Sequence, residues 1–323
     1  MDHISRKSPP LRHLDLRRDL NGVADLIEIC FLAQMDGDGL EYLRRIRETA
    51  RNQSTFWFLY QLDNATIPLN GLVWEEEGKL IGNLTLIPFF REGSLNYLIA
   101  NVAVHPDYRR RGIARQLTEK ALEYIYEQGA YSAWLQVRED NPPAIELYQS
   151  LAFQEKARRT SWESSEHFSP APFNQNIHIT SRSDQEWTFQ SKWLRAIYPP
   201  DVTWNLPIEF KRIQPGFWQS LIRFFKGQDL RNWSARFRDQ LIGVATWEAG
   251  NFYNDFVWLA VPPEWDQAAI PALLNLMKKE VQFRRPLQVN YPAGRSDDVF
   301  LEMGFNKQNT LIWMQKILGK IKI

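Results

Sequence analysis

Apolar positions along the chain recur with two periods, and the switches between them mark the elements. Leu11-Arg-His-Leu-Asp-Leu16 alternates with period two, as a short half-buried strand does. From Asp19 to Phe31, apolar side chains fall at Leu20, Val23, Leu26, Ile27, Cys30 and Phe31, which is helical spacing with Asp19 as N-cap. Residues 40–50 predict a second helix, and residues 56–60 a short apolar strand. Residues 72–80 predict a hairpin with an acidic turn at Gly78, its second strand continuing over 80–88. A strand over 97–104 ends at His105-Pro106, which reads as a packed or solvent-facing strand end. After a polar, Arg-rich turn, residues 113–126 predict a helix whose buried stripe is Ile113, Leu117, Ala121, Leu122 and Ile125. A strand over 132–137, a short helix over 143–151 opened by Asn141-Pro142-Pro143, and a strand over 158–162 follow. Residues 164–176 hold turn formers without periodicity and predict a linker.

The second half repeats the first weakly. Leu241-Ile-Gly243 matches Leu80-Ile-Gly82, Trp258–Trp265 lies over Asn101–Tyr108, and Glu302–Phe305 lies over Ser150–Phe153. The order is kept and the spacing drifts little, which favours a duplication.

Composition narrows the class. A chain of 323 residues is expected to hold roughly two domains. Its 39 Lys+Arg nearly balance 38 Asp+Glu, so no global field draws in nucleic acid or an anionic membrane. No apolar run approaches the roughly 20 residues of a membrane span, and the start lacks the apolar core of a secretory signal. Cys30 alone makes neither an internal disulfide nor a cysteine zinc cluster, and no spacing predicts a metal site. A cytoplasmic protein is expected. Of 13 Trp, only Trp57, Trp74, Trp134 and Trp162 lie in the first half.

Against that neutral background one turn is strongly basic. Val102-Ala-Val-His-Pro-Asp-Tyr-Arg-Arg-Arg-Gly-Ile-Ala-Arg115 runs from strand through turn into helix. Backbone N–H groups at the helix start, the helix dipole, Gly112, and Arg109, Arg110, Arg111 and Arg115 together suit a diphosphate. Alone, the same run also reads as a solvated basic helix start. The second block is Leu135–Phe153, a strand entering a helix with Ala144, Leu147, Tyr148 and Leu151 on one face. Tyr148 alone reads as a core aromatic, or as a buried phenol able to donate a proton.

In this order and spacing, the two blocks resemble the GNAT superfamily of acyl-CoA-dependent N-acyltransferases. The family's Arg/Gln-x-x-Gly-x-Gly/Ala turn matches Arg109-Arg-Arg-Gly112-Ile113-Ala114, and its later block matches Asn141, Ala144, Tyr148 and Phe153, with Ala152 where glycine is usual. The resemblance implies an α/β (α+β) fold of two tandem GNAT domains, each a mixed, mostly antiparallel sheet flanked by helices. The expected divisions are a catalytic domain over 1–163, a linker over 164–176 and a degenerate copy over 177–323. It further implies acetyl-CoA as co-substrate, with no metal. Val102, Ala103, Val104, Arg109–Arg115, Asn141, Ala144 and Tyr148 would bind it, and Tyr148 would protonate the departing thiolate. The acceptor would be an amine of a small molecule or peptide. The two halves would pack as an intramolecular pseudo-dimer, in a monomer or weak homodimer.

Within the superfamily, Val137-Arg138 and the Asn141–Tyr148 run are similar to ribosomal-protein N-terminal alanine acetyltransferases. Gln136 stands where those carry a general-base Glu. Asp36, Asp38 and Glu41 lie where the family often builds the acceptor pocket, but they read first as a solvated acidic loop. Opposite the basic turn the second half has Asp266-Gln-Ala-Ala-Ile-Pro271, and opposite Tyr148 it has Phe300. That half is expected to keep the fold without the chemistry. Two alternatives remain at this point: a CoA-sensing module that transfers nothing, and a protein acetyltransferase that holds its target through the Trp-rich half.

Overall fold

The computed structural model describes residues 10–35, 37–51, 70–165, 176–216, 218, 221, 229–250, 253–281 and 285–319. The strand expected over 56–60 and most of the expected linker lie outside them. The chain folds as two compact units, each discontinuous in sequence. The first holds Met1–Gln136, Pro142–Gln154 and Met314–Ile323; the second holds Val137–Asn141 and Glu155–Trp313.

In the first unit, β1 (Leu11–His13) lies antiparallel to β2 (Gly71–Glu76), and β2 to β3 (Lys79–Arg91). Glu77 and Gly78, with φ of 52° and 77°, close that hairpin as a type I′ turn requires. A second such turn, Glu92-Gly93, leads into β4 (Ser94–Val104), which β5 (Ser132–Arg138) joins in parallel. The parallel step needs a crossover, and α3 (Ile113–Glu127) supplies it.

Helices α1 (Leu20–Phe31) and α2 (Gly37–Arg51) cover the face that carries Val73, through Val23, Ala24, Ile27, Leu43 and Ile46. Helix α3 covers the face of the next residue, Trp74. There a Cβ on Gly82 would stand 3.0 Å from Ile113 Cγ2 and 3.1 Å from Leu117 Cδ1, so a side chain at 82 would push the helix off the sheet. Asp19 directly precedes α1 but caps nothing. Its carboxylate accepts from Arg12 Nη1 at 2.6 Å and from the Asp15 N–H at 2.8 Å, which corrects the expected cap. Helix α4 (Pro142–Ser150) follows β5, and β6 (Gln154–Ser164) follows α4.

The second unit repeats this order with β7 (Ile177–Ser181), α5 (Trp187–Ile197) and two helical turns, α6 (Pro200–Thr203) and α7 (Phe210–Ile213). Next come β8 (Leu230–Phe237), β9 (Gln240–Glu248), β10 (Asp255–Ala260), α8 (Asp266–Glu280), β11 (Leu287–Pro292), α9 (Asp297–Glu302) and β12 (Phe305–Ile317). Strands β7 to β10 are antiparallel neighbours in turn, and β10 is parallel to β11. The β8–β9 register shifts after Ala235, as the β2–β3 register shifts after Trp74, and Arg238-Asp239 repeats the positive φ pair of Glu77-Gly78. Gly243 meets Ala269 as Gly82 meets Ile113, which is the packing reason for the repeated Leu-Ile-Gly.

Strand β6 pairs antiparallel with β11, so Trp162 enters the second unit's core and stacks on Phe300 at 5.2 Å. Arg159 is buried there, its guanidinium donating to Asn290 Oδ1 (2.8 Å), Asn290 O (2.9 Å) and Ile197 O (2.6 Å). The tryptophan excess is mostly core. Trp233, Trp247, Trp258 and Trp313 are buried in it, and Trp187, Trp193, Trp204 and Trp265 pack against it.

Candidate active site

Strand β4 carries one residue too many. Asn83 pairs with Ala103 but Thr85 pairs with Ala100, so Asn101 and Val102 share the place opposite Leu84 in a β-bulge. Asn101 takes φ of 50°, a left-handed conformation that asparagine tolerates better than most residues. Its amide nitrogen donates to Tyr42 Oη at 2.7 Å and to Thr85 Oγ1 at 3.4 Å, and its carbonyl accepts from Asn83 Nδ2 at 3.0 Å. Every group gathered there is neutral. Burial pushes the Tyr42 phenol well above its ordinary pKa.

Pairing between β4 and β5 ends at Ile99↔Leu135, although β4 runs on to Val104. The His105 N–H donates to Ile81 O on β3, so by alternation the N–H groups of Val104 and Val102 face away from β3, along the unpaired edge. The Val104 carbonyl accepts from Cys30 Sγ at 3.4 Å and Arg109 Nε at 3.2 Å on that side. Ala103 is buried between them.

Below this edge lies the basic turn. Gly112 is the N-cap of α3 with φ of 77°; a Cβ there would find no atom nearer than 3.8 Å, so conformation rather than space calls for glycine. The first helical bond is Gln116 N–H to Gly112 O, which leaves the N–H groups of Ile113, Ala114 and Arg115 without helical partners. The arginines divide. Arg111 pairs with Glu76 at 2.9 Å and lies over the Tyr108 ring at 5.2 Å. Arg115 donates to Ser150 Oγ at 2.7 Å. Arg110, with φ of 63°, is exposed and makes no ion pair among the described residues. Arg109, whose Nε donates to Val104 O at 3.2 Å, likewise makes no ion pair among the described residues.

Tyr148 is 6% exposed, and burial pushes its phenol above the ordinary value, so it stays protonated. Helix α4 ends behind it in a Schellman motif: Phe153 N–H bonds Tyr148 O and Ala152 N–H bonds Gln149 O. Ala152 therefore takes φ of 63°, which explains the usual glycine. Ala144 is half-buried in the first turn of α4. Asn141 precedes that helix in chain order and is exposed.

The base candidates fare differently. Glu41 accepts from both Arg44 and Arg45, and these hydrogen bonds hold its carboxyl below the usual range. The side chains of Asp36 and Asp38 lie outside the described residues. His105 Nε2 contacts Lys79 Nζ at 3.3 Å, and its ring meets Tyr108 edge to face. Gln136 directly follows the last residue of β5 that pairs with β4. Nothing in the sequence pattern singles out Tyr42 or Asn83; the one signal for Tyr42 is an aromatic on the helix flanking the acidic stretch.

Among the described residues of the second unit, the counterpart of the basic turn differs in another way than expected. The 3-10 turn Pro263–Trp265 runs straight into α8, so Asp266 begins the helix and no loop matches Arg109–Gly112. Asp266 is buried and accepts from Arg295 Nε (2.6 Å), Ser296 Oγ (2.7 Å) and Tyr291 Oη (3.1 Å). Strand β10 pairs with β9 from Phe256 to Ala260 without a bulge.

An open, bulged strand over a helix start with free N–H groups defines the class. Residues 38–153 match the Acetyltransferase (GNAT) family, and this part of the chain is a GNAT acetyltransferase domain. Over 62 residues the chain is 42% identical to the ribosomal protein bS18-alanine N-acetyltransferase of Escherichia coli, a stretch that covers 19% of this chain and 42% of that protein. It is 35% identical over 83 residues to an acetyltransferase of Pectobacterium atrosepticum, covering 26% and 56%. The chain thus spans about half the length of the curated relatives it matches. The fold is similar to a GCN5-related N-acetyltransferase from Sphaerobacter thermophilus, with TM-score 0.59, 14% identity and 97% of each chain covered. It is also similar to a tandem GNAT protein from the clavulanic acid biosynthesis pathway, with TM-score 0.50, 15% identity, and 96% of this chain and 99% of that one covered.

Proposed function

We propose that the first unit is an acetyl-CoA-dependent N-acetyltransferase acting on an amine, and that the second is a degenerate copy that binds no CoA. The observation that carries this reading is the β4 edge left unpaired by β5 at the Asn101–Val102 bulge, beside the N–H groups of Ile113–Arg115 that lack helical partners and the exposed Arg110, which makes no ion pair among the described residues. The Val102 N–H stabilises the charge that develops on the thioester oxygen. The turn from Arg109 to Arg115 holds the diphosphate, with Asn141 and Ala144 along the pantetheine. The amine nitrogen bonds to the carbonyl carbon, the C–S bond breaks, and Tyr148 gives its proton to the sulfur. The amine proton leaves to water, since Gln136 replaces the relatives' Glu and Glu41 is held by two arginines. Positioning of the two substrates supplies most of the rate.

Thiol release from acetyl-CoA in the presence of an amine panel tests the reading. Release with at least one amine supports it. Tight binding with no release for any amine would turn the site into a sensor. Unchanged CoA affinity in Arg110→Ala and Gly112→Trp would remove the turn from the site.

A further inference from the structure

We infer that Tyr42 and Asn101 form a positioning pair, by which helix α2 sets the strand conformation that aims the Val102 N–H at the acyl carbonyl. The inference rests on the proposed acetyl-CoA site and names what holds that site in shape. A bulge in an edge that lacks a strand partner has few bonds of its own to fix it. Here it is fixed from the side chains. Asn101 sits at φ 50°, its amide reaches Tyr42 Oη at 2.7 Å, and Asn83 Nδ2 holds its carbonyl at 3.0 Å. Asn83 is itself 1% exposed, so the anchor is rigid. Tyr42 stands on α2 directly after Glu41, in the stretch that follows α1. A shift of α2 is therefore passed through one hydrogen bond to the residue preceding Val102. Burial keeps the Tyr42 phenol protonated and its oxygen neutral, so the contact persists across the working pH range.

The pair predicts a polarised carbonyl that depends on Tyr42 without Tyr42 touching substrate. The test uses the full chain and acetyl-CoA carrying 13C at the thioester carbonyl, and needs no acceptor. In the wild type, the bound carbonyl resonance moves downfield of free acetyl-CoA. In Tyr42→Phe and Asn101→Ala most of that displacement is lost, while acetyl-CoA affinity stays within about twofold because the diphosphate turn is untouched. Asn101→Gly, which keeps the left-handed backbone, retains more of the displacement than Asn101→Ala. With a reactive amine, Tyr42→Phe lowers kcat about tenfold at unchanged KM, one hydrogen bond's worth. No displacement in the wild type would overturn the acetyl-CoA site itself. A wild-type displacement kept in full by folded Tyr42→Phe and Asn101→Ala would overturn the pair alone.

Discussion

Tyr148 and Phe153 meet edge to face, their ring centroids 5.9 Å apart, across the end of α4, and Phe300 and Phe305 repeat that contact at 5.8 Å across the end of α9. In both, the helix stops on a residue with positive φ, Ala152 at 63° in the first unit and Gly304 at 80° in the second. The contact is the apolar clasp of a Schellman ending. Its recurrence without the phenol oxygen separates two jobs of Tyr148: the ring packs, and the hydroxyl is available for chemistry. Ala152 is strained by about 1 kcal/mol relative to glycine in this conformation. Ala152→Gly should raise the stability of the chain by about that amount, seen as a denaturation midpoint shift. Gly304→Ala should lower it similarly. Equal midpoints for all three proteins would mean that neither ending is set by φ.

The hydroxyl's job is read by Tyr148→Phe. The Phe300 contact shows that a phenyl ring fits such an ending, so the variant should fold with an unchanged melting temperature. As the proposed acid for thiolate departure, Tyr148 should cost about 100-fold in kcat when replaced, with acetyl-CoA affinity preserved. The pH profile carries a sign. Burial raises the phenol above the ordinary value of about 10, so the acid stays protonated and causes no alkaline fall in rate below that pH. The rate should instead climb with pH as the free acceptor amine loses its proton. A wild-type rate that falls between about pH 8 and 9, or a Phe variant with full kcat, would take the proton from some other donor.

Much of this was legible locally. The stripe on α3, the turn at Gly78 and the repeated Leu-Ile-Gly all follow from contacts between near neighbours or from a helix crossing a bare glycine. The bulge was not legible, because a register slip is made by pairing between Thr85 and Ala100, and only the left-handed Asn101 hints at it. Nor was the place of Trp162 and Arg159, whose strand follows α4 in sequence yet pairs with β11, far along the chain. The Asp266 segment reads as a decayed turn in sequence. It is helix because Ala268, Ala269 and Ile270 propagate one as soon as the arginines and glycine are gone.

Acid sensitivity should concentrate at Asp19. Its carboxylate is 2% exposed, and burial alone would raise its pKa. Hydrogen bonds from Arg12, the Asp15 N–H and Arg18 outweigh that and hold it below the usual carboxylate range. A pKa lowered in the fold stabilises the fold fully above the unfolded value, about 4, and the contribution is lost as pH falls through the folded value. Asp19→Asn should therefore destabilise the chain by about 3 kcal/mol at neutral pH, because Arg12 loses the more buried of its two carboxylate partners and keeps Glu75. The gap to wild type should narrow in urea melts at about pH 3. A gap of the same size at both values would mean that the carboxylate charge contributes nothing.

The two units should differ in whether they bind acetyl-CoA. Where the first unit offers Arg110 and the free N–H groups of Ile113–Arg115 to an anion, the second begins α8 with its own carboxylate, Asp266, seated on Arg295 at 2.6 Å and Ser296 at 2.7 Å. An incoming diphosphate would have to displace a buried ion pair and would meet like charge. Calorimetric titration should therefore give one site per chain. Arg110→Ala should weaken that site about tenfold through loss of one charged contact. Asp266→Ala should leave the stoichiometry and affinity alone while destabilising the fold by about 2 kcal/mol, since the half-buried Arg295 loses its carboxylate partner. Two sites in the wild type, or a site abolished by Asp266→Ala in a folded protein, would place CoA in the second unit and reverse the assignment of the two halves.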